Sequence, residues 1–237
     1  MRDVLAAPGS GRVVAAFPTC LYADVGGRLV AVEAGGGLRL PCSVLLAAPP
    51  AAGALAGVRV GDPVTAAPDG APGLRLGGLT VPVGRWWRPA TPRGARPLGR
   101  AAAPAGLTGP VLDLLGRGPG LTPEGDDLLA GALVGLAGRP DLRDSLAAAV
   151  LAEAPRRTGW LSAQLLEHAA HGRAVPALVA VADAVNGHGD DGALARALPR
   201  LLAVGHTSGR ALARGLLLAA DTVAGGRPMR PPGEEAA

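Results

Sequence analysis

The apolar positions of this 237-residue chain change their period partway along it. Through residues 12–87 they fall in short runs punctuated by Gly and Pro; from residue 110 they recur at helical spacing over longer stretches. The runs at 12–16, 20–24, 28–33, 42–47, 58–60 and 79–83 predict strands. Val25-Gly26-Gly27-Arg28 predicts a hairpin turn, because two adjacent glycines tolerate the positive φ angles that such turns need. Gly61-Asp62-Pro63 and Pro68-Asp69-Gly70 predict further turns, and residues 48–56 form an Ala/Pro-rich loop. Short strands at this spacing predict a small antiparallel β-barrel or sandwich.

The second half predicts helices over 110–115, 123–137, 141–154, 160–171, 176–186, 192–204 and 208–223. Pro155 should end the third of these, and Pro199 should kink or break the sixth. The resulting fold class is α+β, a β-rich domain over 1–87 followed by a helical bundle over 110–225. Residues 88–109 connect the two through Arg88-Pro89, Thr91-Pro92-Arg93 and Arg96-Pro97, which resist regular structure. Trp86 and Trp87 precede this connection and read as a plug at the junction. The Pro- and Glu-containing tail over 226–237 is expected to be disordered.

Composition narrows the chemistry. Hydrophobic residues make up 49% of the chain, yet it has one Phe and one Tyr, so its core packs small aliphatic side chains. Arg supplies every basic side chain, which excludes a Schiff-base lysine and a phosphate-loop lysine. The net charge of +4 suits an anionic small molecule. The arginines are scattered and aromatic residues are few, which argues against nucleic acid. Cys20 and Cys42 do not make a disulfide framework. With no secretory signal and no membrane-length apolar run, cytoplasmic residence with free thiols is the expectation.

The candidate chemistry centres on Gly116-Arg117-Gly118-Pro119-Gly120-Leu121-Thr122-Pro123-Glu124-Gly125-Asp126-Asp127. Closely spaced glycines let the backbone present its N–H groups to an anion. Thr122-Pro123 reads as an N-cap followed by Pro at the first helical position, so the helix dipole adds to the same cradle. Asp126 and Asp127 then sit in the first turn, where they can orient a substrate N–H, accept a proton or hold a hard cation such as Mg²⁺. A second segment repeats the frame. Gly205-His206-Thr207-Ser208-Gly209 opens the last helix, and aligning Gly125 with Gly209 places Leu128 on Leu212 and Gly131 on Gly215. His206 is a candidate proton-transfer group. His168 and His171 share a helical face at a metal-pair spacing, but nothing in the sequence completes a ligand set.

Gly118 through Gly131 resembles the signature of the AllH-like family, G-x-G-L-T-P-S-G-D-D-x-L-x-G. Gly205-His206-Thr207-Ser208-Gly209 resembles that family's G-H-[ST]-S-G motif, and Arg157-Thr158-Gly159-Trp160-Leu161-Ser162 a third motif in which Thr and Ser open a helix. The chain departs from the pattern at Glu124, where Ser is common, and at Ala211, where many members carry Asp.

The resemblance implies a subunit of a bacterial oxamate carbamoyltransferase of purine and allantoin catabolism. That enzyme interconverts oxamate and carbamoyl phosphate with oxalurate and phosphate, in company with an FdrA-like protein. On this reading Asp126, Asp127 and His206 carry the chemistry, with Asp126 and Asp127 the candidate Mg²⁺ ligands. Arg117, Gly118, Gly120, Thr122, Gly125, Thr158, Ser162, Gly205, Thr207, Ser208 and Gly209 line the anion site. Two alternatives stand beside it: a non-catalytic subunit that binds a metabolite or stabilises a partner, and a cation-dependent hydrolase of a small anionic substrate.

Overall fold

The computed structural model describes residues 10–47, 53, 55–67, 72–99 and 111–225. Residues 48–52 and 54 of the expected loop over 48–56, the turn at 68–70, residues 100–109 of the expected connection over 88–109, and the tail over 226–237 lie outside the described residues. The chain divides into two compact units, Met1–Pro89 and Ala90–Ala237.

The first unit is one seven-stranded sheet. Its strands are β1 (Gly11–Ala16), β2 (Cys20–Val25), β3 (Arg28–Glu33), β4 (Ser43–Leu45), β5 (Pro63–Ala66), β6 (Gly73–Leu76) and β7 (Leu79–Pro82), ordered β4-β3-β2-β1-β5-β6-β7. The sheet curls into a half-barrel, which corrects the expected closed barrel or sandwich. Alternation builds its core: Leu21, Ala23 and Val25 of β2, Val30 and Val32 of β3, and Leu74 and Leu76 of β6 share one buried face. Gly26 and Gly27, at φ 60° and 79°, make the predicted β2–β3 hairpin.

Three strand expectations need correction. Residues 58–60 turn instead of extending; Val58 plugs the sheet's core while Val60 faces solvent, and Gly61 follows at φ 92°. β5 and β6 have no counterpart in the predicted runs, because each spans four residues and begins with Pro63 or Gly73. β4 pairs with β3 in parallel, Ala31 opposite Ser43. Buried Glu33 shapes the short crossover between them. Its carboxylate accepts hydrogen bonds from Arg39 N at 2.8 Å, Leu40 N at 2.9 Å and the Ser43 hydroxyl. The two tryptophans are engaged within this unit: Trp86 packs on the core and Trp87 Nε1 donates to Ser43 O.

The second unit contains a 3₁₀ turn at Leu112–Leu114 and six helices among the described residues. They are α1 (Glu124–Gly135), α2 (Pro140–Arg157), α3 (Trp160–Ala170), α4 (Pro176–Val185), α5 (Ala193–Leu202) and α6 (Ser208–Gly225). Pro155 and Pro199 both lie inside helices, contrary to the predicted breaks. Each stands in the last turn, so the one i−4 hydrogen bond it removes and the distortion it causes fall at the helix end. Helix α1 is apolar nearly all round and is buried, with Leu129, Ala132, Leu133 and Val134 fully enclosed. No described helix is long and apolar enough to cross a membrane.

Residues 90–99 belong to this unit and are fastened to it. Ala90 bridges Ala174. Arg143, fully buried, donates to the carbonyls of Arg96 and Pro97 and to Asp144, whose other oxygen accepts Gly99 N at 2.9 Å. A buried guanidinium is tolerated because these donors are matched.

Helices α1 and α6 make the closest crossing. A Cβ on Gly131 would stand 2.1 Å from Leu212 O, and one on Gly215 would stand 1.9 Å from Leu128 O. Both distances are far inside van der Waals contact, so neither site admits a side chain unless the helices separate. Gly215→Ala should therefore lower the stability of the full chain by about 2 kcal/mol or more, despite alanine's better helix propensity. At Gly138 an added Cβ meets nothing closer than 3.9 Å, so Gly138→Ala is the control and should be near neutral. Chemical denaturation of both variants checks this; equal midpoints would refute the tight crossing.

Candidate functional site

The contacts between α1 and α6 advance in the same direction along both helices. Thr122 Oγ1 lies 3.3 Å from Ser208 Oγ at their starts, Gly131 meets Leu212 further on, and Gly135 meets Ala219 beyond that. The two helices thus run parallel and their N-termini lie side by side. This juxtaposition brings together the two motifs that the sequence separates by about eighty residues.

The glycine loop before α1 folds as its residues require. Gly116, Gly118 and Gly120 take φ angles of 72°, 116° and 97°, open to glycine and strained for other residues. Arg117 O accepts Gly125 N at 2.9 Å, which closes the loop onto the helix. Gly125 itself sits against Leu114 O, where a Cβ would stand at 1.9 Å. The cap is shifted by one residue from expectation. Pro123 occupies the N-cap position, at φ −52° and ψ 144°, and Glu124 begins the helix. Thr122 is thereby freed from capping and faces Ser208.

Backbone N–H groups remain open at both starts. Among the described residues, Gly118 N, Gly120 N and Glu124 N donate to no backbone carbonyl, and neither do Thr207 N and Ser208 N. In α6, Gly209 N is satisfied by Val204 O at 2.9 Å, and a Cβ at Gly209 would collide with Leu201 O. Open N–H groups at two adjacent helix starts form a region of positive potential suited to carboxylate or phosphate.

The two carboxylates have opposite environments. Asp126 is buried and saturated: Oδ1 accepts Gly116 N at 2.8 Å, and Oδ2 accepts the hydroxyls of Ser162, at 2.7 Å, and Thr158. It fastens the glycine loop to the start of α3. Asp127 is also buried, at 8% exposure, but its Oδ2 has no hydrogen-bond partner among the described residues. Burial pushes its carboxyl up to about 6; the hydroxyls of Ser208 and Thr122 oppose the rise, and the neighbouring charges of Asp126 and Glu124 add to it. A proton acceptor near neutrality and an orphaned buried oxygen thus coincide in one residue.

The other predicted residues fall into two groups. Thr158 and Ser162 reach the site by way of Asp126. Arg117, Gly205, His206 and Thr207 are exposed on the loops that open α1 and α6. Glu124 and Arg214 form an exposed pair at 3.4 Å, which contributes little. Ala211 is fully buried. His171 Nδ1 lies 2.9 Å from Glu167 O at the end of α3. Burial pushes the Cys42 thiol up to about 12, too high for a nucleophile. Among the described residues no three His, Cys, Asp or Glu side chains gather as metal ligands, and a cation at Asp126 would have to displace three donors.

Residues 114–220 match the model of the family described as oxamate carbamoyltransferase subunit AllH. Over that stretch the chain is similar to this family. The match takes in both glycine-capped helix starts and the Thr158–Ser162 pair. No curated protein and no solved structure matches the chain.

Sequence reasoning singles out Asp126 and Asp127 together and does not distinguish their environments. The distinction needs the tertiary partners: Gly116 and α3 for Asp126, and the α6 start for Asp127. It also missed the anchor at Arg143, whose isolated charge within a helical segment carries no spacing signal.

The raised carboxyl of Asp127 sets a pH dependence. Its folded pKa, about 6, lies above the unfolded value, so between about pH 4 and 6 the folded chain holds a proton that the unfolded chain has lost. Stability from this group therefore falls as pH rises through that window, by about 3 kcal/mol at most. Unfolding titrations at pH 4 and pH 7 should show the wild type losing more stability than Asp127→Asn. Parallel pH profiles for the two proteins would contradict the assignment.

Proposed function

We propose that the AllH-like unit binds a small carboxylate-amide substrate and carbamoyl phosphate at the paired helix starts, as part of a carbamoyltransferase. The observation that carries this reading is the convergence of open N–H groups from Glu124 and Ser208 beside the unpartnered oxygen of Asp127. One set of groups seeks negative charge and the other seeks a proton donor. A carboxylate-amide and a carbamoyl phosphate each offer both.

In the proposed reaction the amide nitrogen of the acceptor attacks the carbamoyl carbon. The new C–N bond forms as the C–O bond to phosphate breaks, and phosphate departs with the electron pair. The nitrogen's proton passes to Asp127, whose carboxylate is poised near neutrality. The N–H groups of the helix starts stabilise charge on the phosphate as it leaves. Arg117 and His206, exposed on the same loops, supply positive charge and a proton donor to that phosphate. Asp126 is a positioning residue that holds the loop by its three hydrogen bonds.

The exposure of Arg117, Gly118, Gly120 and His206 favours a site completed by another chain over a self-contained pocket. The subunit title of the matched family points the same way, and an FdrA-like protein is the proposed partner. A purely metabolite-binding role remains the second reading, supported by that openness and by Ala211.

Glu124 allows a direct test. Its N–H is the open donor at the first helical position, and Pro123 before it is extended, a conformation compatible with a following proline. Glu124→Pro deletes the N–H with the helix start retained, whereas Glu124→Ala keeps it. Calorimetric titration with carbamoyl phosphate, alone and with the FdrA-like partner, should show about tenfold or greater weakening in the Pro variant only. Circular dichroism confirms folding of each protein. Equal affinity in both variants would remove the ligand from this helix start. No binding by wild type in either setting would defeat the proposal, and binding without turnover in the mixture would leave the metabolite-binding role.

A further inference from the structure

The ligand polarity that the site demands can be read one step further, on the footing of the function just proposed. Oδ2 of Asp127 is a buried acceptor with no partner among the described residues, and a buried acceptor left unpaired costs free energy until a donor reaches it. The hydroxyls of Ser208 and Thr122 act on the Asp127 carboxyl and lie 3.3 Å from one another, so a bond between them takes one of their two protons, and Oδ2 itself is left without a partner among the described residues. Glu124 and Asp126 add negative charge around it, and Arg214 is paired with Glu124. The N–H groups of Glu124 and Ser208, by contrast, lack acceptors. A ligand that satisfies the whole site must therefore present an acceptor at one end and an N–H donor at the other, a short distance apart.

We infer that Asp127 is the specificity-determining residue that admits a carboxylate-amide and rejects the dicarboxylate of the same shape. Oxamate and oxalate are the simplest such pair. They differ only in an NH₂ group replaced by an oxygen. Against Asp127, the amide of oxamate donates to Oδ2 and relieves the orphan. The second carboxylate of oxalate brings like charge to a buried oxygen and leaves the orphan unrelieved. A site built around one hydrogen-bonding group rejects the analogue that lacks its complement far more strongly than an apolar pocket rejects a missing methylene. Asn in place of Asp127 removes the charge and offers a donor as well as an acceptor, so the ground for rejecting oxalate disappears.

The test is a calorimetric titration of the full chain, with its FdrA-like partner where binding requires it, against oxamate and oxalate at pH 7.5. Wild type should bind oxamate about a hundredfold or more tightly than oxalate. In Asp127→Asn that ratio should fall below about ten, chiefly through tighter oxalate binding. The gain for oxalate is the readout that simple damage to the site would not produce, and the wild-type ratio needs no variant at all. Comparable wild-type affinities would overturn the inference, as would a variant that keeps the hundredfold ratio. If carbamoyl phosphate binds and neither oxamate nor oxalate does, this inference falls while the anion-site reading survives. If none of the three binds, both fall together.

Discussion

The helical unit depends on two places where no side chain fits. Gly131 and Gly215 let α1 and α6 approach until each helix's backbone rests on the other's carbonyls. Helices held apart by ordinary side chains lie about 8–10 Å from axis to axis, and their ends need not meet. Here the approach is close and the helices parallel, so the two N-termini are forced together. Everything chemically distinctive in the unit follows from that placement. The hydroxyls of Thr122 and Ser208 meet, two sets of unpaired N–H groups share one region, and Asp127 is buried between the starts.

The same constraint explains why two neighbouring aspartates behave differently. Successive residues of a helix point about a hundred degrees apart. Asp126 is directed toward Gly116 and the start of α3, where three donors await it. Asp127 is directed toward α6, where the hydroxyls of Ser208 and Thr122 act on it and also face each other. A carboxylate that is buried with an empty oxygen resists ionisation. The architecture thus spends one aspartate on holding the loop and keeps the other available.

Much of this was legible in the sequence, and the parts that were not share a cause. The glycine loop, the helix starts, the pairing of Gly125-Leu128-Gly131 with Gly209-Leu212-Gly215 and the Gly26-Gly27 hairpin are all local patterns, and local patterns survive in one dimension. Cap position was off by one because Thr-Pro satisfies two readings equally until the backbone is seen. Pro155 and Pro199 read as breakers because spacing alone does not show that each falls in a last turn, where the distortion is confined to the helix end. β5 and β6 escaped because four-residue strands opening with Pro or Gly carry too little alternation. The parallel β3–β4 pair and the Arg143 anchor depend on contacts that spacing does not encode: Glu33 gathers the crossover, and Arg143 reaches carbonyls more than forty residues away.

The departures from the family pattern can be weighed against this geometry. Glu124 stands where serine is common, yet it occupies the first helical position and is exposed, so its contribution to the site is the backbone N–H that any residue except proline supplies. The substitution leaves that N–H in place and adds an exposed negative charge, which Arg214 partly offsets. Ala211 is different. It is fully enclosed one turn into α6, the helix that Asp127 faces. The difference from the family pattern there lies inside the packed helical core, at a position that a small apolar side chain fills.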